Sequence, residues 1–337
     1  MIKQRYSISR GIIINIIMLF ILFIIAVISI NSGKMNLSPS EVFNVIMGNG
    51  TARENLIIFE FRLPRIILSI LVGIGMGTSG CIMQSLLRND MASPGTLGIS
   101  SGSGLFVLMF VVMFNTQGIS SAIALPLLAF VGGMTAAALI FLLSYRRGRD
   151  ISHTGLILTG VALSSGYSAL TTLLTLKLDD HQMDFIQRWS AGSLWGDNWN
   201  YLSILGPWVI VLFIYTFYKA RILNTLNLGN QTATGLGVSV KPEFLGLSIA
   251  AVALSSGSVA LGGNFFFVGM ISPHMAKKLV GPNHKLLLPA ASLSAAIIIL
   301  LADTITRTIS LGTDVPTGII ITVLSTPYFL YLLAKAN

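Results

Sequence analysis

The chain has 337 residues, of which 53% are hydrophobic and 10% charged, with a mean hydropathy of +0.81. Soluble domains carry about 25% charged residues, so this composition excludes an ordinary soluble globular protein and argues for repeated membrane spans. The formal charge of +9 does not argue for nucleic acid, because the one basic run is Arg146-Arg147-Gly148-Arg149; positive residues at cytoplasmic loop ends account for the balance better. The single cysteine, Cys81, excludes an intramolecular disulfide and a thiol cluster for metal or redox work.

A membrane-crossing helix needs about 20 mostly apolar residues. That criterion places ten spans at Gly11–Ile30, Pro64–Leu86, Thr96–Phe114, Ile123–Leu143, Ser152–Leu176, Leu202–Tyr218, Phe244–Leu261, Phe267–Val280, Leu286–Ile305 and Pro316–Ala334. The fold class is therefore all-α and polytopic, a single transmembrane domain over residues 1–337. The basic stretch Lys3 to Arg10 ahead of the first run could open a secretory signal. A signal core spans about 7–15 residues, whereas the run here is longer and Ile30-Asn31-Ser32-Gly33 is a poor cleavage site, so an uncleaved first span is expected. The eighth span is short and carries Pro273. It is expected to be broken or tilted, which is tolerated where protein or a cavity surrounds it.

The second span carries Gly73, Gly75, Gly77 and Gly80, and the fourth Gly132 and Gly133. Small residues let helix backbones approach closely in lipid, so a tight bundle is expected. Three longer polar segments separate spans: 31–61 and 178–201 outside, and 221–242 inside. The first contains Leu37-Ser38-Pro39-Ser40-Glu41 and is expected to form a short interfacial helix. The second holds Trp189, Trp195 and Trp199, which suit a membrane-interface belt. The third is long enough for one or two short helices. With the N-terminus inside, twice as many of the 21 Lys and Arg residues fall in cytoplasmic as in outer segments. The positive-inside rule then places both termini in the cytoplasm. Ten spans divide into two sets of five with opposite starting sides, the arrangement of inverted-repeat transporters. The match of Val161–Gly166 to Val252–Gly257 falls in the fifth and seventh spans, which are not repeat partners, and is read as coincidence.

No Gly-x-x-x-x-Gly-Lys-Ser/Thr phosphate loop and no His-Glu-x-x-His occurs. The histidines His153, His181, His274 and His284 are scattered. No catalytic residue, metal site or cofactor is predicted. Among 12 acidic residues only Asp303 lies clearly within a span, near its outer end. Ion-coupled carriers use intramembrane carboxylates as relays, so the energy is expected from another chain, or the protein is a passive channel. A proton-coupled secondary carrier is the competing class. It requires Asp303→Asn to abolish uptake, and it needs no ATPase. An intramembrane enzyme lacks a convincing catalytic constellation.

Several motifs resemble one transporter family. Phe61-Arg-Leu-Pro-Arg65, Gln84-Ser-Leu-Leu-Arg-Asn89 and Ala92-Ser-Pro-Gly-Thr-Leu-Gly-Ile-Ser100 are similar to the first half of the FecCD family, the permeases of vitamin B12, haem and iron-siderophore ABC importers. The second half agrees at Phe267-Val-Gly-Met-Ile-Ser-Pro-His274, Gly281-Pro-Asn-His-Lys-Leu-Leu-Leu-Pro289, Ala302-Asp303 with Arg307, Val315-Pro316-Thr-Gly318 and Thr326-Pro327-Tyr-Phe329. Asp90 stands where the family usually has Pro, and Ser272 where an apolar residue is common. The resemblance implies a BtuC-like type II importer permease with an inverted repeat in the cell membrane. It further implies a second permease subunit, commonly a homologous one, two separate ATPase subunits and an extracytoplasmic binding protein.

By the same resemblance, Arg62, Arg65 and Arg307 meet glutamates of the binding protein. The alternatives open for them are interfacial anchoring and, for Arg307, pairing with Asp303 four residues earlier. Leu228, Gly229, Asn230, Ala233, Gly235, Leu236 and Gly237 match the segment that couples to the ATPase, with Asn230 where Glu is common. Asn or Thr there can cap a short helix. Ser100, Ser101, Ser164, Ser165, Thr171 and Thr172 are candidates to line the path, with packing as the alternative for each. The expected cargo is an iron-siderophore, first of hydroxamate type, with vitamin B12 or haem as alternatives.

Overall fold

The computed structural model describes residues 8–33, 37–113, 119–144, 153–195, 197–308 and 315–336. The basic residues Lys3, Arg5, Lys34 and Arg146 to Arg149, on which part of the predicted orientation rests, lie outside the described residues. Every regular element among those described is helical. In chain order they are α1 (Ile8–Asn31), α2 (Pro39–Ile46), α3 (Ala52–Asn55), a π-helical stretch (Leu56–Arg62), α4 (Leu63–Leu87), α5 (Ile99–Met113), α6 (Ile119–Ser144) and α7 (His153–Thr175). There follow α8 (Asp180–Ser190), α9 (Trp199–Tyr218), α10 (Ala220–Asn227), α11 (Asn230–Gly235), α12 (Val240–Gly262), α13 (Val268–Val280), α14 (His284–Thr308) and α15 (Thr317–Ala336). All ten expected spans are helices. Among the described residues seven stretches are long and apolar enough to cross a membrane, while α5 and the part Thr317–Tyr331 of α15 are shorter apolar helices.

The second span differs from its predicted start at Pro64. Two capping boxes organise the segment before it. Ser38 accepts from the Glu41 N–H while the Glu41 carboxylate accepts from the Ser38 N–H, and Thr51 and Glu54 do the same. These bonds from Ser38 also hold the Glu41 carboxyl below its ordinary pKa. From Ala52 the chain stays helical to Leu87, 36 residues in all. Pro64 has no N–H and cannot close an α-helical bond onto residue 60. The chain meets this with π-type bonding just before it, the Leu63 N–H reaching the Ile58 carbonyl.

α4 lies at the centre of the bundle, against α1, α9, α12, α13 and α14, and most of its side chains are buried. Its glycines make this possible. A Cβ at Gly73 would collide with the backbone of Ala296, one at Gly77 with the Ala291 carbonyl, and one at Gly80 with the Gly269 carbonyl. The last contact explains how α13 tolerates its proline. Pro273 leaves the Gly269 carbonyl, four residues earlier, without a helical donor, and that oxygen faces the bare Cα of Gly80. α13 is therefore continuous through Pro273, and it is short rather than broken: 13 residues rise only about 20 Å. Gln84 adds two bonds, its Nε2 donating to the carbonyls of Met270 and Asp90, both at 2.8 Å.

Two of the three tryptophans expected at the interface turn inward. Trp189 and Trp195 both donate from Nε1 to the Ala260 carbonyl, at 3.4 and 2.8 Å, and pin α8 to the end of α12. Trp199 is exposed and donates to the Phe59 carbonyl at 3.0 Å. Gly80→Val is expected to destabilise the protein by at least the roughly 1–3 kcal/mol typical of overpacking. Thermal unfolding of the purified variant in detergent measures this, and a wild-type melting temperature would refute the backbone contact.

Candidate functional sites at the two ends of the bundle

At one end, α1, α4 and α14 bring together the three arginines singled out in the sequence. The Arg62 guanidinium is buried and donates to the Ile30 carbonyl in the last turn of α1. Arg65 donates from Nε to Asp303 Oδ1 at 3.0 Å and from Nη1 to Asp197 Oδ2 at 3.3 Å. Arg307 donates from Nε to Asp303 Oδ2 at 2.9 Å, and from Nη2 to the Ser29 hydroxyl in α1. The four-residue spacing that suggested an Asp303–Arg307 pair is thus formed. Arg65 shares the same carboxylate, which spacing could not reveal.

Asp303 is fully buried, whereas the Arg65 side chain keeps 25% and Arg307 16% of its surface exposed. A buried carboxylate is tolerated only when paired and hydrogen-bonded. Here both oxygens receive a guanidinium. Three arginines against Asp303 and Asp197 leave this cluster, within an end that is otherwise rich in carboxylates, with one positive charge in excess, reachable along the exposed edges of Arg65 and Arg307.

At the other end, α4 stops at Arg88, whose φ of 49° lies in the left-handed region. Its Nη2 donates to Asn230 Oδ1 at 2.7 Å. The Asn230 side chain therefore receives Arg88, and α11 has no side-chain cap. α10 and α11 are the two short helices expected in this segment, joined at Gly229, where φ is 118°, and closed by Gly237, where φ is 83°. Ala233 is fully buried, and Leu228 and Leu236 are 66% and 63% exposed. Apolar side chains left exposed at the polar end of a bundle are an available docking surface. Gly235 is also exposed, with open space around its Cα. Nearby, Lys219 Nζ bonds Glu243 Oε1 at 2.7 Å, which raises the lysine pKa. Asp90, the departure from the usual proline, pairs with Lys277 Nζ at 2.7 Å.

The candidate path residues divide into two groups. Ser100 and Ser101 open α5, where Ser101 and Ser164 join hydroxyls at 3.1 Å and the buried Ser100 Oγ has no partner. Thr171 bonds the carbonyl of Tyr167 in its own helix. Ser165 and Thr172 lie on the open face of α7 with Gly166, Ser168 and Ala169, their hydroxyls turned back onto the Val161 and Ser168 carbonyls. One side of α7 thus exposes these small residues among the large apolar side chains of Leu158, Val161, Leu173 and, just past its end, Leu176.

The FecCD transport family model matches residues 19–335. The chain belongs to that family. It is 41% identical over 337 residues to the iron(3+)-hydroxamate import system permease protein FhuG of Bacillus subtilis, covering 98% of both chains. It is 34% identical to the hemin transport system permease protein HmuU of Yersinia pestis, covering 94% of both. Among solved structures it is similar to a metal-chelate type ABC transporter in an inward-facing conformation, with a TM-score of 0.81 and 29% identity, over 96% of this chain and 99% of that one. The fold is that of an ABC transporter permease. The FecCD chain is a multi-pass membrane subunit, and its family membership implies a substrate-binding protein and ATPase partners on separate chains.

Removing one member of a buried ion pair costs about 3–5 kcal/mol. Asp303→Asn is therefore expected to lower the melting temperature of the purified permease clearly, since Arg65 and Arg307 then face each other without a carboxylate. An unchanged melting temperature would show that the cluster does not hold these helices.

Proposed function

We propose that this chain is the permease of an importer for a ferric siderophore, of hydroxamate type in the first instance, in a bacterial cell membrane. The observation that carries the reading is the 41% identity, over 98% of both chains, to a permease named for iron(3+)-hydroxamate import. Haem and vitamin B12 are the alternatives, and the 34% identity to a hemin permease keeps the first in view. The partner permease is a homologous second chain, and both termini are cytoplasmic.

On this reading the end bearing Arg62, Arg65 and Arg307 faces outward and receives the carboxylates of a loaded binding protein. The exposed edges of Arg65 and Arg307, and the one positive charge by which their cluster exceeds Asp303 and Asp197, support it. The opposite end, with exposed Leu228 and Leu236 around buried Ala233, seats in the ATPase. ATPase closure then drives alternating access, and the permease makes and breaks no covalent bond. The open face of α7, with Ser165 and Thr172, lines the path, together with Ser100, Ser101, Ser164 and Thr171. The hydroxyls of Ser165, Thr171 and Thr172, already bonded to their own helix, stand among exposed leucines and leave a largely apolar wall with few free donors. Such a wall passes a bulky chelate without holding it, which leaves selectivity to the binding protein.

Uptake of labelled ferric hydroxamates, haem and vitamin B12 by a strain lacking this chain, with and without its reintroduction, tests the substrate. Restored uptake of hydroxamates alone is expected; restored uptake of haem or B12 alone would replace the reading. Charge reversal at Arg62, Arg65 and Arg307 together is expected to abolish binding-protein docking. Wild-type docking should weaken as salt rises, because exposed charges are screened. Unchanged affinity in the triple variant would remove the docking role.

A further inference from the structure

The helices α4 and α14 are joined by five side-chain or backbone contacts in one unbroken antiparallel register. Beginning at the Arg88 end, the Ser85 hydroxyl meets His284 Nε2. Next, Thr78 Oγ1 and Ser292 Oγ lie 2.8 Å apart, and Gly77 abuts Ala291 and Gly73 abuts Ala296. Last, Arg65 holds Asp303. Numbering falls along α4 from 85 to 65 as it rises along α14 from 284 to 303, so the pair neither slips nor splays over some twenty residues, roughly 30 Å of helix. A pair tied at both ends and packed backbone to backbone between them moves as one rod.

The coupling segment is fastened to the lower end of this rod by a buried side-chain relay. Asn224 of α10 presents Oδ1 to the His284 backbone N–H at 2.9 Å and to His284 Nδ1 at 2.7 Å. Its amide orientation is fixed because Nδ2 donates to Asn283 Oδ1 at 3.2 Å. His284 is 1% exposed and stands between Asn224 and Ser85. Gly281, at φ 85°, makes the turn that delivers it there. Leu223 and Leu226 of α10 are buried in the same core. By contrast, α11 has mostly exposed side chains and is tied to α4 through the exposed Arg88–Asn230 bond.

We propose that Asn224 and His284 are positioning residues that carry movement of the coupling segment into the α4–α14 rod, and through it to the Arg65–Asp303–Arg307 cluster at the far end. The proposal rests on the docking and coupling readings above. Linkage is reciprocal: whatever nucleotide does to the docking face, docking does to nucleotide affinity.

The test uses the complete transporter, permease pair and ATPases, reconstituted in lipid nanodiscs with its binding protein. Docking affinity is measured without nucleotide and with ATP held by a hydrolysis-blocked ATPase. Coupled sites commonly shift one another's affinity by about 5–150-fold. In Asn224→Ala and His284→Ala the nucleotide effect is expected to collapse to within about twofold of unity, with ATPase association and nucleotide-free docking retained. Asn224→Asp keeps both acceptor bonds from His284 but loses the donor bond to Asn283 Oδ1, so a ratio well above that of Asn224→Ala is expected. That rescue separates relay from general packing, and Asn224→Ala carries the test if His284→Ala fails to assemble. A wild-type ratio in Asn224→Ala, or a ratio in Asn224→Asp no higher than in Asn224→Ala, overturns the proposal. A wild-type transporter with no nucleotide effect on docking removes instead the coupling reading on which it stands.

Discussion

Backbone contact between α4 and α14 is the constraint on which the bundle depends. Lipid tails are as apolar as leucine, so helices gain nothing by hiding apolar side chains from them; association relies on close packing and on polar bonds between helices. Gly73 and Gly77 supply the first by removing every atom that would hold α4 away from Ala296 and Ala291. Ser85, Thr78 and Arg65 supply the second along the same seam. Gly80 extends the logic to α13, where its bare Cα accommodates a carbonyl that Pro273 has deprived of its helical donor.

The charged groups follow from the same low-dielectric setting. Asp303 could not stand alone where it is, and two guanidiniums from different helices satisfy it. The arrangement gives the arginines two tasks. They hold α1, α4 and α14 together through Ile30, Ser29 and Asp303, and the exposed part of Arg65 and Arg307 still presents positive charge. On the proposed reading, a docking surface made from residues that also fasten the helices ties recognition to the geometry of the bundle itself.

The ten expected helices were legible because hydropathy and length report directly on burial in lipid, and apart from the start of the second their ends fell within a few residues of those observed. Two kinds of feature were not. The helix from Ala52 and the helix α8 begin in polar sequence, and their capping boxes at Thr51 and Asp179 were the available signal, as Ser38-Pro39-Ser40-Glu41 was for α2. Partners distant in sequence were beyond reach. Asp303 with Arg307 was readable from a four-residue spacing, whereas Arg65 with Asp303 and Asn224 with His284 needed the fold. Trp189 and Trp195 misled for a related reason: aromatic rings suit an interface, but Ala260 offered a carbonyl that turned both inward.

The unbroken helix from Ala52 to Leu87 also acts as a ruler. Arg65 stands 22 residues from its end at Leu87, about 33 Å at 1.5 Å per residue, close to the thickness of a hydrocarbon core. The distance of the guanidiniums from the Arg88 end of the helix is therefore written into a count of residues. Adding or deleting one residue between Gly80 and Arg65 would shift that distance by only about 1.5 Å, but it would swing Arg65 by about 100° around the helix and away from Asp303. Length in this stretch is held by angle more strictly than by distance.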